Sequence, residues 1–255
     1  MIGNPARSVK APPPRWGGGP GTGLRALAVA ATLALLAAFA ACERSGDSRP
    51  APAASEPAPA QTTTAAQAAP ESVPVIVCLG DSITAGYGLR EDQSYPALLQ
   101  ARLKALGLPH RVVNAGVSGD TSAGGLARMD WLLKQRIDVL LVALGGNDGL
   151  RGHLPEDMEK NLAAIIEKGQ AAGAKVVLAG MRMPTNYGPD YTRDFQAVYP
   201  ALAKKYHVPL LPFLLEGVAA NPKLNQPDGI HPTAEGAKIV EANVWKALDP
   251  LIERK

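Results

Sequence analysis

Between residues 73 and 250, short apolar runs alternate with longer stretches whose apolar positions recur every three or four residues. Val75-Ile76-Val77-Cys78-Leu79 is a continuous apolar run of strand length, rich in β-branched side chains. Leu98, Leu99, Leu103 and Leu106 then form a helical stripe across Tyr95 to Leu106. A second strand is predicted from His110 to Val113, ending at Asn114-Ala115-Gly116, and Leu126, Met129, Leu132 and Leu133 mark another helix. Val139 to Leu144 is apolar throughout, as befits a central parallel strand buried on both faces. Pro155, followed by Glu156 and Asp157, opens a helix whose buried face is Leu162, Ile165, Ile166 and Gly169. Lys175 to Ala179 reads as a fourth strand and Val208 to Leu211 as a short fifth. Between them lies a helix from Tyr191 to Lys205 that Pro200 is expected to disturb. Thr233 is placed to cap a last helix reaching Leu248. Strands alternating with helices predict an α/β domain, a parallel sheet covered on both faces.

The first 72 residues follow none of these periods. Ala26 to Ala41 is sixteen residues with only Thr32 polar, preceded by a basic, Pro- and Gly-rich segment. That is short for a membrane span, which needs about 20 residues, and residues 1–41 read as an export signal. Its end, Phe39-Ala40-Ala41-Cys42, resembles a bacterial lipobox and predicts lipidation of Cys42, although Phe39 stands where an aliphatic is usual. Ala38-Phe39-Ala40 also fits the small-x-small site of ordinary signal peptidase. Residues 42–72 are dominated by Ala, Pro, Ser, Thr and Gln; such a linker cannot bury enough apolar surface to offset its ordering entropy. The expected protein is thus an exported one, periplasmic or anchored to a membrane through Cys42, with its folded domain spanning 73–255.

Composition adds little. Of 255 residues, 46% are hydrophobic and 5% aromatic. The formal charge of +3 comes from the export signal: Arg7, Lys10, Arg15 and Arg25 lie there without an acid, and 22 basic face 23 acidic residues in the remainder. No basic stripe suggests nucleic acid as a partner. Cys78, inside the first strand, reads as a core residue rather than a disulfide partner of Cys42.

Chemistry gathers in the loops that follow the strands. These are Gly80-Asp81-Ser82, Asn114 to Thr121, Gly145-Gly146-Asn147-Asp148-Gly149 and Asp228-Gly229-Ile230-His231-Pro232. In a parallel sheet all four reach one edge, where α/β folds bind their ligands. Taken alone, the first loop fits a strand-ending turn with Ser82 as an N-cap equally well. Taken together the loops meet the needs of acyl transfer. A serine must lose its proton to a base as it attacks, and the base needs an acceptor on its other nitrogen. Ser82, His231 and Asp228 supply those types. The tetrahedral intermediate needs donors for its oxyanion, and the Ser82 and Gly119 backbone N–H groups and the Asn147 amide are candidates.

This ordered set resembles the SGNH, or GDSL-type, hydrolase superfamily across nearly all of residues 75–250, with Ile83 where the family name has leucine. Val112 to Ala115, Ser118 to Ser122, Leu144 to Gly152, Asn186 to Gly188 and Val208 to Phe213 are similar to the bacterial thioesterase I/lysophospholipase branch, several members of which are arylesterases. The resemblance implies a flavodoxin-like, three-layer α/β/α fold with five parallel strands. It implies hydrolysis of acyl esters, thioesters or lysophospholipids without cofactor or metal. Ser82 would be the nucleophile, His231 the base and Asp228 its orienter, with Gly119 and Asn147 as oxyanion partners. It further implies a substrate-contacting loop comprising Gly149, Leu150, Arg151, His153 and Leu154. The expected partner is a small acyl ester or a lipid, with a membrane as a second partner through Cys42.

Two other readings compete: a carbohydrate or small-molecule deacetylase, since the superfamily contains such enzymes, and a non-catalytic acyl- or lipid-binding module. Asp81 and Asp148 read as turn braces, and Ser118 and Ser122 as spare hydroxyls. His110, His153 and His207 show no metal-ligand spacing; the first and last read as structural or exposed, while His153 is a candidate substrate contact.

Overall fold

The strands β1 (Val75–Gly80), β2 (Arg111–Gly116), β3 (Val139–Ala143), β4 (Lys175–Ala179) and β5 (Leu210–Leu211) form one parallel sheet in the spatial order β2-β1-β3-β4-β5. This computed structural model describes residues 73–254. The predicted export signal, Cys42 and the predicted linker lie outside the described residues.

Among the described residues the chain adds α1 (Ser82–Ala85), α2 (Tyr95–Ala105), α3 (Ser122–Ala127), α4 (Met129–Leu132), α5 (Gly146–Leu150), α6 (Pro155–Ala171), α7 (Pro189–Tyr206) and α8 (Ala234–Leu248). The chain steps from β1 outward to β2, then crosses back over β1 to β3 and continues to β4 and β5. Right-handed crossovers therefore put the helix of the first step on one face and those of the later steps on the other. Accordingly α2 packs with α8, while α6 packs with both α3 and α7. The architecture is the three-layer, five-stranded parallel α/β fold expected.

β1, β3 and β4 form the centre of the core: Ile76, Val77, Leu79, Leu140, Leu141, Val142, Val177 and Leu178 are fully buried. β2 is an edge strand and is only partly covered. Three details depart from the predicted pattern. β5 is two residues long rather than four, because Pro209 has no N–H to offer the ladder. The helix predicted across Leu126 to Leu133 is two, broken at Arg128; α3 contains Gly124 and Gly125, each a weak helix former. By contrast α7 runs through Pro200. That residue is exposed, so water can satisfy the carbonyl it leaves unbonded, while buried Phe195, Tyr199 and Leu202 hold the helix on the sheet. Thr233 caps α8 as expected, accepting from the Gly236 N–H.

Because Leu141 is fully buried at the middle of β3, Leu141→Ala should lower unfolding free energy by about 2–5 kcal/mol. Urea titration of the two proteins measures the difference.

Candidate active site

β1 ends at Gly80, where the chain must turn sharply into α1. A Cβ on Gly80 would lie 1.9 Å from Thr84 Oγ1 and 3.0 Å from the Ala143 carbonyl oxygen, so a side chain is excluded by close approach. Asp81, not Ser82, caps α1: its carboxylate accepts from the Ile83 N–H at 3.0 Å. Ser82 is the first helical residue, and its hydroxyl is free to face the loop that precedes α8.

That loop carries the other two side chains. His231 Nε2 lies 2.8 Å from Ser82 Oγ, and His231 Nδ1 lies 2.7 Å from Asp228 Oδ2. Asp228 Oδ1 also accepts from the backbone N–H groups of Ile230 (2.9 Å) and His231 (3.0 Å). The His231 N–H first, then its ring and the Ile230 N–H, hold the Asp228 carboxyl down at about 2. The acid therefore stays ionised, fixes the imidazole with its Nδ1 proton toward the carboxylate, and leaves Nε2 to accept from serine. The loop itself is pinned by Gln226, whose Nε2 donates to the carbonyls of Tyr87 (2.7 Å) and Pro232 (3.0 Å). Tyr87 also lays its ring against His231, with centroids 4.6 Å apart.

The oxyanion candidates gather at the same place. Gly119 has φ +84°, a conformation that L side chains rarely adopt; its carbonyl accepts from Arg151 Nη2 at 2.9 Å. Asn147 lies in α5, and its Nδ2 donates to the Asp120 carbonyl at 2.9 Å, with a longer 3.4 Å contact to Asp81 Oδ2. Ser82, Gly119, Asn147 and His231 line one cleft of about 660 Å³. Its remaining wall is mainly apolar: Ile83, Tyr87, Leu150, Met181, Met183, Pro184, Phe213 and Leu215, with Arg182 the cation at its side.

Of the loop expected to contact substrate, Leu150 lines this cleft. Gly149 is packed beneath it, where a Cβ would meet Met183 Sδ at 2.2 Å. Arg151, His153 and Leu154 do not line the cleft. Arg151 braces Gly119, the His153 carbonyl accepts from the Tyr191 hydroxyl at 2.8 Å, and Leu154 precedes α6. Arg182, Met183 and Pro184 come from residues 182–190, a loop in which the sequence, as for 149–154, places specificity without revealing its shape. Met181 and Phe213 supply wall that sequence reasoning did not assign; they look like ordinary core residues, and their one signal is position just beyond the ends of β4 and β5.

Ser122 is no spare hydroxyl. Its N–H and Oγ donate to the buried Asp148 at 2.7 and 2.6 Å, which makes Asp148 the brace between the β2 and β3 loops. Cys78 is fully buried, and burial pushes its thiol up to about 12, which suits a core residue. His110 is buried and His207 ends α7 at φ 53°.

A serine, imidazole and carboxylate in relay, at the carboxyl edge of a doubly wound parallel sheet, define a serine hydrolase. The chain belongs to the GDSL-like lipase/acylhydrolase family, whose profile matches residues 78–239. It is 48% identical over 178 residues to Esterase TesA of Pseudomonas aeruginosa, covering 69% of this chain and 89% of that protein. It is 44% identical over the same length to thioesterase 1/protease 1/lysophospholipase L1 of Escherichia coli, covering 69% and 84% respectively. The crystal structure of TesA matches with a TM-score of 0.68 at 47% identity, over 69% of this chain and 99% of that one.

Asp81 is 4% exposed, and burial pushes its carboxyl from 3.8 up to about 6. The folded protein thus binds this proton more tightly than the unfolded chain. Its stabilising contribution is complete below 3.8 and is lost as pH rises through about 6. Asp81→Asn removes the titration, so its stability relative to wild type should rise by up to about 3 kcal/mol between about pH 4 and 6, then level off. Urea midpoints at several pH values measure this, and any constant offset from the amide drops out of the pH dependence.

Proposed function

We propose that this protein is an exported bacterial hydrolase that cleaves acyl esters and thioesters through a covalent Ser82 acyl-enzyme. The Ser82–His231–Asp228 relay opening into a largely apolar cleft carries this reading. The names of the relatives, an esterase and a thioesterase/lysophospholipase, support the same substrate class.

In this mechanism the Ser82 oxygen attacks the acyl carbonyl while its proton passes to His231 Nε2. The resulting imidazolium faces the Asp228 carboxylate. The oxyanion takes hydrogen bonds from the Ser82 and Gly119 N–H groups and from Asn147 Nδ2, whose second hydrogen meets competition only from the long Asp81 contact. Collapse breaks the bond to the leaving oxygen or sulfur, which takes the proton back from His231. Water, deprotonated by the same imidazole, then attacks the acyl-enzyme and frees the acid and Ser82. Losing one oxyanion donor typically costs about 2.7–4 kcal/mol of transition-state stabilisation. The acyl chain lies against Met181, Met183 and Phe213, which present apolar surface and no competing hydrogen-bond donors at their side-chain tips.

Hydrolysis of p-nitrophenyl esters from acetate to palmitate should fall at least about 10³-fold in Ser82→Ala. A fluorophosphonate should label Ser82, read by mass spectrometry. Retained hydrolysis in that variant overturns the assignment, and a wild-type protein that neither reacts nor turns over is a binding module.

Export and the fate of Cys42 belong to this proposal too. The apolar stretch ending at Cys42 supports a membrane anchor. Radiolabelled palmitate should enter the wild type and not Cys42→Ser; equal labelling removes the anchor.

A further inference from the structure

Three of the loops that form the site come from different strands, and one arginine outside the cleft touches two of them directly. Arg128 stands at the break between α3 and α4. Its Nε donates to Asp120 Oδ2 at 2.7 Å, and its Nη2 donates to the Gly80 carbonyl at 3.0 Å. Gly80 is the last residue of β1, two before Ser82. Asp120 directly follows Gly119, and its own carbonyl accepts from Asn147 Nδ2 at 2.9 Å. The chain of contacts therefore runs from the β1 loop through Arg128 to the β2 loop and on to the Asn147 amide of the β3 loop.

We infer that Arg128 is a positioning residue that fixes the three oxyanion donors relative to one another. The inference rests on the acyl-transfer reading of the site. Neither Arg128 nor Asp120 lines the cleft, so both act through other groups. The pair is mostly buried, at 21% and 17% side-chain exposure, which limits screening by solvent and salt. A guanidinium is suited to the task because its rigid fork meets two acceptors at once, where an ammonium is a single point charge. The fit around Asp120 is close: a Cβ on Gly124 would lie 2.5 Å from Asp120 Oδ1. The Gly80 carbonyl, which also accepts from the Val117 N–H at 3.0 Å, ties the same two loops a second time. With Arg128 truncated, the Asp120 carboxylate loses its cation. Residue 120 can then turn, taking the neighbouring Gly119 N–H and the Asn147 acceptor with it.

Oxyanion donors act in the transition state, so displacing them lowers kcat and spares KM when binding precedes slow chemistry. The test compares wild type, Arg128→Met, Arg128→Lys, Asp120→Asn and Ser82→Ala on one p-nitrophenyl ester, with folding checked by circular dichroism. Arg128→Met should lose about 10-fold or more in kcat, a fraction of what removing a donor outright costs, with KM within about 2-fold of wild type. Affinity for an alkylboronic acid, a tetrahedral mimic, should fall by a similar factor. Arg128→Lys should recover part of both, and Asp120→Asn should show the same split in milder form. If Arg128→Met does not fold, the lysine and Asp120→Asn variants decide alone. Wild-type kcat and boronate affinity in the folded variants overturn the inference, as does a rise in KM at unchanged kcat. Should Ser82→Ala itself stay active, the acyl-transfer reading has failed; an inactive Ser82→Ala beside a fully active Arg128→Met isolates the failure to Arg128.

Discussion

The 2.8 Å contact between Ser82 Oγ and His231 Nε2 joins residues 149 positions apart, and the rest of the structure is arranged so that it forms. Neither residue is placed by its own neighbourhood alone. Ser82 depends on β1 ending at Gly80 and on Asp81 turning the chain into α1. His231 depends on a loop that must travel back from beyond β5 to the edge where β1 ends. Gln226 completes that return, because its amide bonds both the Tyr87 carbonyl, just past α1, and Pro232 beside the histidine. His231 and Ser82 are therefore coupled by a loop-to-loop bond as well as by their own.

Sheet topology explains why such distant loops meet. The order β2-β1-β3 makes the chain leave β1 in one direction and later pass it in the other. A crevice opens at that reversal, outside the carboxyl ends of the strands. The first three strands each send a loop there, so Ser82, Gly119 and Asn147 come from three separate turns. Independent turns give fine control over each group but no guarantee of their spacing. Spacing has to come from bonds between the loops. The structure supplies these, among them Asp148 to Ser122, Asn147 to Asp120, Arg151 to Gly119, and Arg128 to both Asp120 and Gly80.

Those cross-links mark the limit of what the sequence could reveal. Strands with continuous apolar runs, such as Val139 to Ala143, were legible because burial on both faces leaves a plain signal. The meeting of Ser82, Asp228 and His231 was legible because a parallel sheet sends the loops that carry them to one edge. Less was written for the cleft wall. Met181, Met183 and Phe213 carry no mark that separates a core side chain from one facing a cavity, since both want the same hydrophobicity. The position of Arg151 was no more readable: an arginine in a loop suits substrate or a backbone carbonyl, and here it takes the carbonyl of Gly119. The break at Arg128 was hidden by the apolar spacing that continues across it, because two short helices in succession preserve the period of one.

The carboxyl groups around the site differ in the same way in what surrounds them. Asp81, Asp120, Asp148 and Asp228 all lie near the site, yet their partners differ in kind. Asp228 accepts from the His231 imidazole and from two backbone N–H groups, which together keep it ionised. Asp81 accepts from one backbone N–H in a buried position, and burial raises its carboxyl toward neutrality. Burial and the supply of donors cause the difference: two backbone N–H groups and an imidazole surround Asp228, while buried Asp81 has the Ile83 N–H at 3.0 Å and only a long 3.4 Å contact to the Asn147 amide. Asp228 thus keeps its charge down to about pH 2, whereas Asp81, forced by burial to hold its proton more tightly, gives it up only as pH rises through about 6.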